Sequence, residues 1–180
     1  MPYVIGQICG ILATAASIIM PLYKKKWMML VNTALINVLM GLNLVLIGEV
    51  GSAAALCAVA TVQCIVSLVH TLRERSPAKW ETALFFLLYL AFGFWGFFRA
   101  PGFAWELSGR NALELLPILG SLCSMTFVFI RSEQKARWVL LLTCTVWSVY
   151  TGLVGATTFF AQLFSLLTTV AALIKYRRRP

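Results

Sequence analysis

Nearly every charge in this sequence stands in a short cluster between long apolar runs, and that pattern restricts the chain more than any motif does. An apolar run with no water around it must satisfy its backbone N–H and C=O groups internally, which a membrane-spanning helix does. Composition agrees: 61% of the 180 residues are hydrophobic and only 12% are charged, far from the balance of a water-soluble domain. The net charge of +9 does not point to nucleic acid, because the lysines and arginines sit beside apolar runs, as juxtamembrane anchors do.

A helix needs about 20 apolar residues, and at least about 17, to cross roughly 30 Å of hydrocarbon. Seven segments qualify: 3–22, 28–48, 51–72, 82–98, 112–130, 138–154 and 156–174. As one helix, residues 27–72 would be about 70 Å long, so the chain turns back at "IGEVGS". Residues 138–174 would reach about 55 Å, and Gly155 is the expected bend. "MPYVIGQICG" has no basic leader and no small-residue cleavage site, so the first run is expected to stay as a span.

Charge tests the count. With alternating crossings, thirteen cations fall on one side: Lys24, Lys25, Lys26, Arg73, Arg75, Lys79, Arg131, Lys135, Arg137, Lys175, Arg177, Arg178 and Arg179. Only Arg99 and Arg110 fall on the other. Fusing the last two spans would throw four cations across and blur that asymmetry. The expected topology therefore has seven spans, the N-terminus outside and the C-terminus in the cytoplasm.

"KKKWMML" at 24–30 and "KARWVLL" at 135–141 then explain each other. Aligned without a gap, they match Lys24 with Lys135, Trp27 with Trp138, Gly41 with Gly152 and Leu42 with Leu153. Each copy has a basic loop after its first helix, a tight turn after its second and a basic end. Three crossings invert a chain, so two copies keep the same orientation only with an unpaired span between them. "TALFFLLYLAFGFWGFF" (82–98) fits that linker, and its eight aromatics on all sides point to lipid contact. The expected division is a first three-helix bundle in 1–75, a linker helix and outer loop in 76–110, and a second bundle with a basic tail in 111–180.

"MPLYKKKW", a proline at the helix end just before a lysine cluster, resembles the equivalent corner of SWEET and PQ-loop proteins, although the Pro-Gln pair is missing. "NVLMGLNLVLIGEVGSAAALCAVATVQ" (37–63) resembles YgjV-type bacterial inner-membrane proteins. The chain is similar, more distantly, to PnuC-type vitamin transporters. The resemblance implies an all-α, 3+1+3 bundle in a bacterial inner membrane, with a small-solute site near mid-membrane that opens alternately to each face. Vitamins, nucleosides and sugar-like metabolites are the implied cargo. The paired asparagines of sugar carriers have no match in spans 3 and 7, which weighs against a sugar.

The residues themselves supply candidates. The chain contains no Asp, one His and six Glu at span ends or in loops, so facilitated diffusion is expected over proton coupling. His70 and Glu114 are the titratable alternatives. On span 2, Asn32 and Asn43 share a helical face while Asn37 points about 140° away. Asn37 is the favoured ligand-binding residue, with Ser148 as its repeat counterpart and Trp147 beside it to stack on a planar ring. Gln63 and Ser67 on span 3, Gln162 and Ser165 on span 7, and Gln7 on span 1 complete the proposed lining. Asn37 as structural glue between helices is the competing reading.

Pro21 and Pro117 are candidate gating kinks, each equally consistent with a tolerated position near a span end. Gly6, Gly10, Thr14 and Ser17 form a small-residue seam, within the bundle or between subunits of a homo-oligomer. Phe103 and Trp105 are able to rest at the membrane interface or fold over the cavity mouth, and "KYRRRP" is expected to anchor to anionic lipid. Five scattered cysteines give neither a disulfide framework nor a metal site, and no cofactor is expected. One histidine and no aspartate leave no catalytic residue to assemble, so an enzyme is not expected. A ligand-binding receptor or sorting protein of the PQ-loop type is the alternative to a transporter.

Overall fold

The computed structural model describes residues 1–48, 51–99, 109–130, 132–154 and 158–176. Among the described residues are seven helices: α1 (Pro2–Ile19), α2 (Lys26–Ile47), α3 (Ser52–Leu72), α4 (Lys79–Arg99), α5 (Gly109–Phe129), α6 (Glu133–Val154) and α7 (Thr158–Tyr176). α1 tightens into a 3-10 turn at Met20–Leu22. Six of these helices are long and apolar enough to cross a bilayer. In α5, Ala112–Val128 is the apolar stretch among the described side chains. Glu114 stands near its start.

Local chemistry sets several ends. Pro occupies the first turn of α1, where its missing N–H costs nothing. Gly48 closes α2 in the left-handed region at φ 91°, and its N–H reaches Leu44 and Val45 carbonyls. The expected turn after span 2 thus begins at this glycine, while Glu49 and Val50 lie outside the described residues. Gly155, the expected bend, also lies outside them, between the end of α6 and the start of α7.

α3 ends differently. Arg75 N–H bonds to the His70 carbonyl at 2.9 Å and Glu74 N–H to Thr71 at 3.3 Å, the two bonds of a Schellman closure. Its left-handed position is held by Glu74 at φ 53°, where glycine is usual. A side chain there costs conformational energy that glycine avoids. Glu74→Gly is therefore expected to raise the unfolding free energy in detergent by about 1 kcal/mol, read as a higher melting temperature. A lower one would mean that the Glu74 side chain holds the loop.

The helices pack in a closed circuit. α1 meets α2, α2 meets α3, α3 meets α5, α5 meets α6, α6 meets α7, and α7 returns to α1. α4 packs outside this circuit against α3 and α5. It buries one stripe, Phe85, Tyr89, Gly93 and Gly96, while Leu84, Phe86, Leu87, Phe92, Phe94, Trp95 and Phe98 remain exposed. The linker span expected to meet lipid thus has a broad outward apolar face and a narrow seam of small and aromatic residues turned inward.

Polar groups join the circuit where lipid offers no partner. Asn32 Nδ2 donates to the Ala16 carbonyl and Asn43 Nδ2 to the Gly6 carbonyl, both at 2.7 Å. Gly6 makes room for this: an added Cβ would lie 3.0 Å from Leu46 Cβ. Gly6, Gly10 and Ser17 are buried along α1, and Gly6 lies against α2 within the chain. Thr14 is half-buried, and its hydroxyl turns back to the Gly10 carbonyl.

Candidate functional site

At the centre of the circuit lies a cavity of about 80 Å³. All seven helices contribute to its wall. Asn37 and Thr33 come from α2, Cys57 and Cys64 from α3, and Tyr89 from α4. Ser121, Ser124 and Phe127 come from α5, Thr143 and Trp147 from α6, and Gln162 and Ser165 from α7. Ser17 and Met20 close it from the α1 side. No charged residue is among the lining groups. Such a wall suits a neutral solute: apolar surface for contact, with amides and hydroxyls to orient it.

The volume holds a few water molecules and is well below the roughly 300–1,000 Å³ of small-molecule sites. Any metabolite entering it requires the wall to move. Met20 and Met40 are flexible enough to do so.

Two amides on the wall are held loosely. Asn37 Nδ2 is 3.9 Å from Cys64 Sγ, and Gln162 Nε2 is 3.6 Å from Met40 Sδ. Sulfur is a weak acceptor, so an oxygen on a solute would compete well for either N–H. Ser165 Oγ accepts from the Cys144 thiol at 3.4 Å. Trp147 stands edge-on to Tyr150, with ring centres 5.9 Å apart. Gly120 gives the indole its place, since a Cβ at that position would lie 2.9 Å from Trp147 Nε1.

A second cavity of about 230 Å³ opens where Lys26 stands. Ser67, His70, Thr71, Glu74, Arg75 and Pro77 line it. His70 Nε2 pairs with Glu81 Oε1 at 3.1 Å, and Glu81 Oε2 accepts the Ala78 N–H at 2.6 Å. Val128 belongs to the walls of both cavities, so it stands between them.

The profile of the Imp-YgjV family, described as bacterial inner membrane protein, matches residues 4–179. The chain belongs to the Imp-YgjV family. No curated protein and no solved structure matches it. As an Imp-YgjV protein with six helices long and apolar enough to cross a bilayer, it is a multi-pass protein of the bacterial inner membrane.

Of the residues selected from sequence in this Imp-YgjV chain, Asn37, Trp147, Gln162 and Ser165 meet at the central cavity. Gln63 lies just behind it: its Oε1 accepts the Tyr89 hydroxyl at 2.6 Å and its Nε2 reaches the Met125 carbonyl at 3.4 Å. It braces α3, α4 and α5, and Tyr89 is the group that reaches the wall. Ser67 lines the second cavity instead. Ser148 and Gln7 line neither; the Ser148 hydroxyl and Gln7 Oε1 are buried without a hydrogen-bond partner among the described residues. Ser148 is one residue past Trp147 and so about 100° further round the helix.

The remaining candidates fall at the periphery. Pro21 is buried in the 3-10 turn, where its carbonyl accepts from Arg137 Nε at 3.4 Å. Pro117 is inside α5, which continues past it. Glu114 is buried, and its Oε2 accepts the Ser52 hydroxyl at 2.7 Å, tying α5 to α3. Phe103, Trp105 and the arginines after Tyr176 lie outside the described residues. Sequence reading missed Thr33, Ser121, Ser124 and Thr143, because lone hydroxyl residues are common in apolar helices and usually bond to their own backbone.

Tyr89→Phe keeps the ring and removes the donor. Gln63 Oε1 then stays buried and unpaired, which costs about 1–3 kcal/mol. The expected result is a lower melting temperature in detergent, with the further change Gln63→Leu recovering part of it. An unchanged melting temperature in Tyr89→Phe would show that the bond carries no weight.

Proposed function

We propose that this Imp-YgjV protein is a transporter that moves a small neutral or weakly charged metabolite, of the vitamin, nucleoside or sugar-like kind, by facilitated diffusion. In this reading α1–α3 and α5–α7 are two parallel copies of one three-helix unit, joined by α4. Helix packing supports it: the α1–α7 and α3–α5 contacts exchange when the first copy is matched to the second. The basic loops face the cytoplasm, the N-terminus faces out, and alternating access exposes the central cavity to each side in turn.

One observation carries the proposal. The cavity is walled by both copies at once, with uncharged amides, hydroxyls and an indole turned into it. A solute bound there touches both halves, so its binding is coupled to their relative position. The buried carboxyl of Glu114 is occupied by Ser52, and His70 by Glu81; neither lines the central cavity. That favours movement down a gradient over proton coupling.

The test uses purified protein. A thermal-shift screen of vitamins, nucleosides, sugars and amino acids identifies a ligand by its stabilisation of the folded form. In liposomes that ligand is expected to enter down its own gradient without an imposed pH difference. Saturable binding with no flux would make the protein a receptor or sorting factor instead. Neither binding nor flux would remove both readings.

A further inference from the structure

The repeat that aligns Lys24 with Lys135 also places Lys26 opposite Arg137, and the two residues make reciprocal contacts. Lys26 Nζ, at the start of α2, donates to the Phe127 carbonyl at 2.9 Å. Arg137, in the first turns of α6, donates from Nη2 to the Tyr23 carbonyl at 3.3 Å and from Nε to the Pro21 carbonyl at 3.4 Å. Each cation thus crosses from the second helix of its own copy to the end of the first helix of the other. We propose that Lys26 and Arg137 form a two-armed latch that holds the basic end of the bundle shut over the central cavity; this rests on the transport reading above.

Physical chemistry explains the targets. The last carbonyls of a helix have no N–H partner within it and carry the negative end of its dipole. Phe127 lies in the last turn of α5, Pro21 lies in the 3-10 turn that follows α1, and Tyr23 caps that turn. A cation placed there supplies a charge-assisted hydrogen bond. Arg137 is buried, at 4% exposure, where a charge is kept only if partnered.

The latch also rests on the partition between the cavities. Lys26 Nζ stands 4.0 Å above the Phe127 ring centre, a cation–π contact. Phe127 lines the central cavity, and the adjacent Val128 lines both. A bond at the Phe127 carbonyl therefore fixes the segment that separates the central cavity from the one beside His70. Releasing both arms removes these ties between the basic ends of α1 and α5 and the opposite copy, and lets Val128 withdraw.

Native cysteines report the opening. Cys57, Cys64 and Cys144 are buried on the central wall. In a background of Cys9→Ser and Cys123→Ser, their reaction with a membrane-impermeant maleimide is timed from each face of sealed vesicles. The basic face is defined as the one from which a Lys24→Cys reporter reacts. Lys26→Met and Arg137→Met are each expected to raise the rate from that face by about tenfold, as losing the charge-assisted contacts of one arm shifts a closed–open equilibrium. The rate from the opposite face should stay level or fall.

Unchanged rates from both faces, or an equal rise from both, would overturn the latch. If Arg137→Met does not accumulate, Lys26→Met decides alone, with Lys26→Arg expected to keep the slow rate. Labelling needs no solute, so a failed latch is distinguishable from failed transport, which the liposome assay reads.

Discussion

Gly96→Val is expected to undo the docking of α4. A Cβ at this position would lie 2.6 Å from Ser52 Cα, 2.8 Å from Ser52 N and 2.9 Å from Gly51 C. All three are backbone atoms, so no rotamer change relieves the clash. Either α4 lifts from α3 or the first turn of α3 unwinds. Overpacking costs typically 1–3 kcal/mol, and a branched side chain against rigid backbone belongs at the upper end, about 3 kcal/mol or more.

The loss extends beyond α4. Ser52 holds the Glu114 carboxylate and the Glu114 carbonyl, so displacing it loosens α5 as well. A fall in melting temperature of about 6–12 °C follows for a chain of this size. Gly93→Ala is the control. Its Cβ would meet Ile118 Cγ1 at 3.0 Å, part of a side chain that can turn away, so a smaller fall is expected. Equal effects at the two positions would show that α4 is not seated on the α3 backbone.

Trp147→Ala is expected to damage both stability and binding. Removing a buried Trp costs about 3–5 kcal/mol, depending on how far the site collapses. Collapse is opposed because the indole fills the space left by Gly120 and braces Tyr150. Trp147→Phe separates the two effects: it keeps much of the apolar volume but removes the indole N–H and half the stacking surface. Melting should largely recover in this variant, while stabilisation by the ligand found in the screen stays weakened. Full ligand-induced stabilisation in Trp147→Ala would take the indole out of the site.

The helices were legible because lipid leaves the chain so few choices. The seven expected spans match α1–α7 to within a few residues at most ends; α6 is the largest departure, starting at Glu133 where the apolar run suggested 138. Its first turn, "EQKAR", is polar and invisible to an apolarity criterion. Angular arithmetic on α2 was also informative. Asn32 and Asn43 face α1, while Asn37 turns to the cavity.

Helix neighbours were harder to read, because an apolar face looks the same whether it meets lipid or protein. The reciprocal contacts of Lys26 and Arg137 were hidden for a different reason. Their acceptors are backbone carbonyls, which every residue possesses, so no residue type marks them. In sequence these two cations are indistinguishable from their topology-setting neighbours. Gly120 gave no signal either, since its role depends on an indole 27 positions away in the chain.

In the two-copy reading proposed above, the placement of α4 makes the two junctions between the copies unequal. Where α3 meets α5, a third helix is pressed across the join by Gly93, Gly96 and the Tyr89–Gln63 bond. Where α7 meets α1, no helix among the described residues packs across the join as α4 does. The two proposed copies would then behave as the boards of a book bound along one edge: rotation about the spine swings the free edge furthest. Paired spin labels on α1 and α7 are therefore expected to separate more than a pair on α3 and α5, an unsymmetrical motion for the proposed pair of copies.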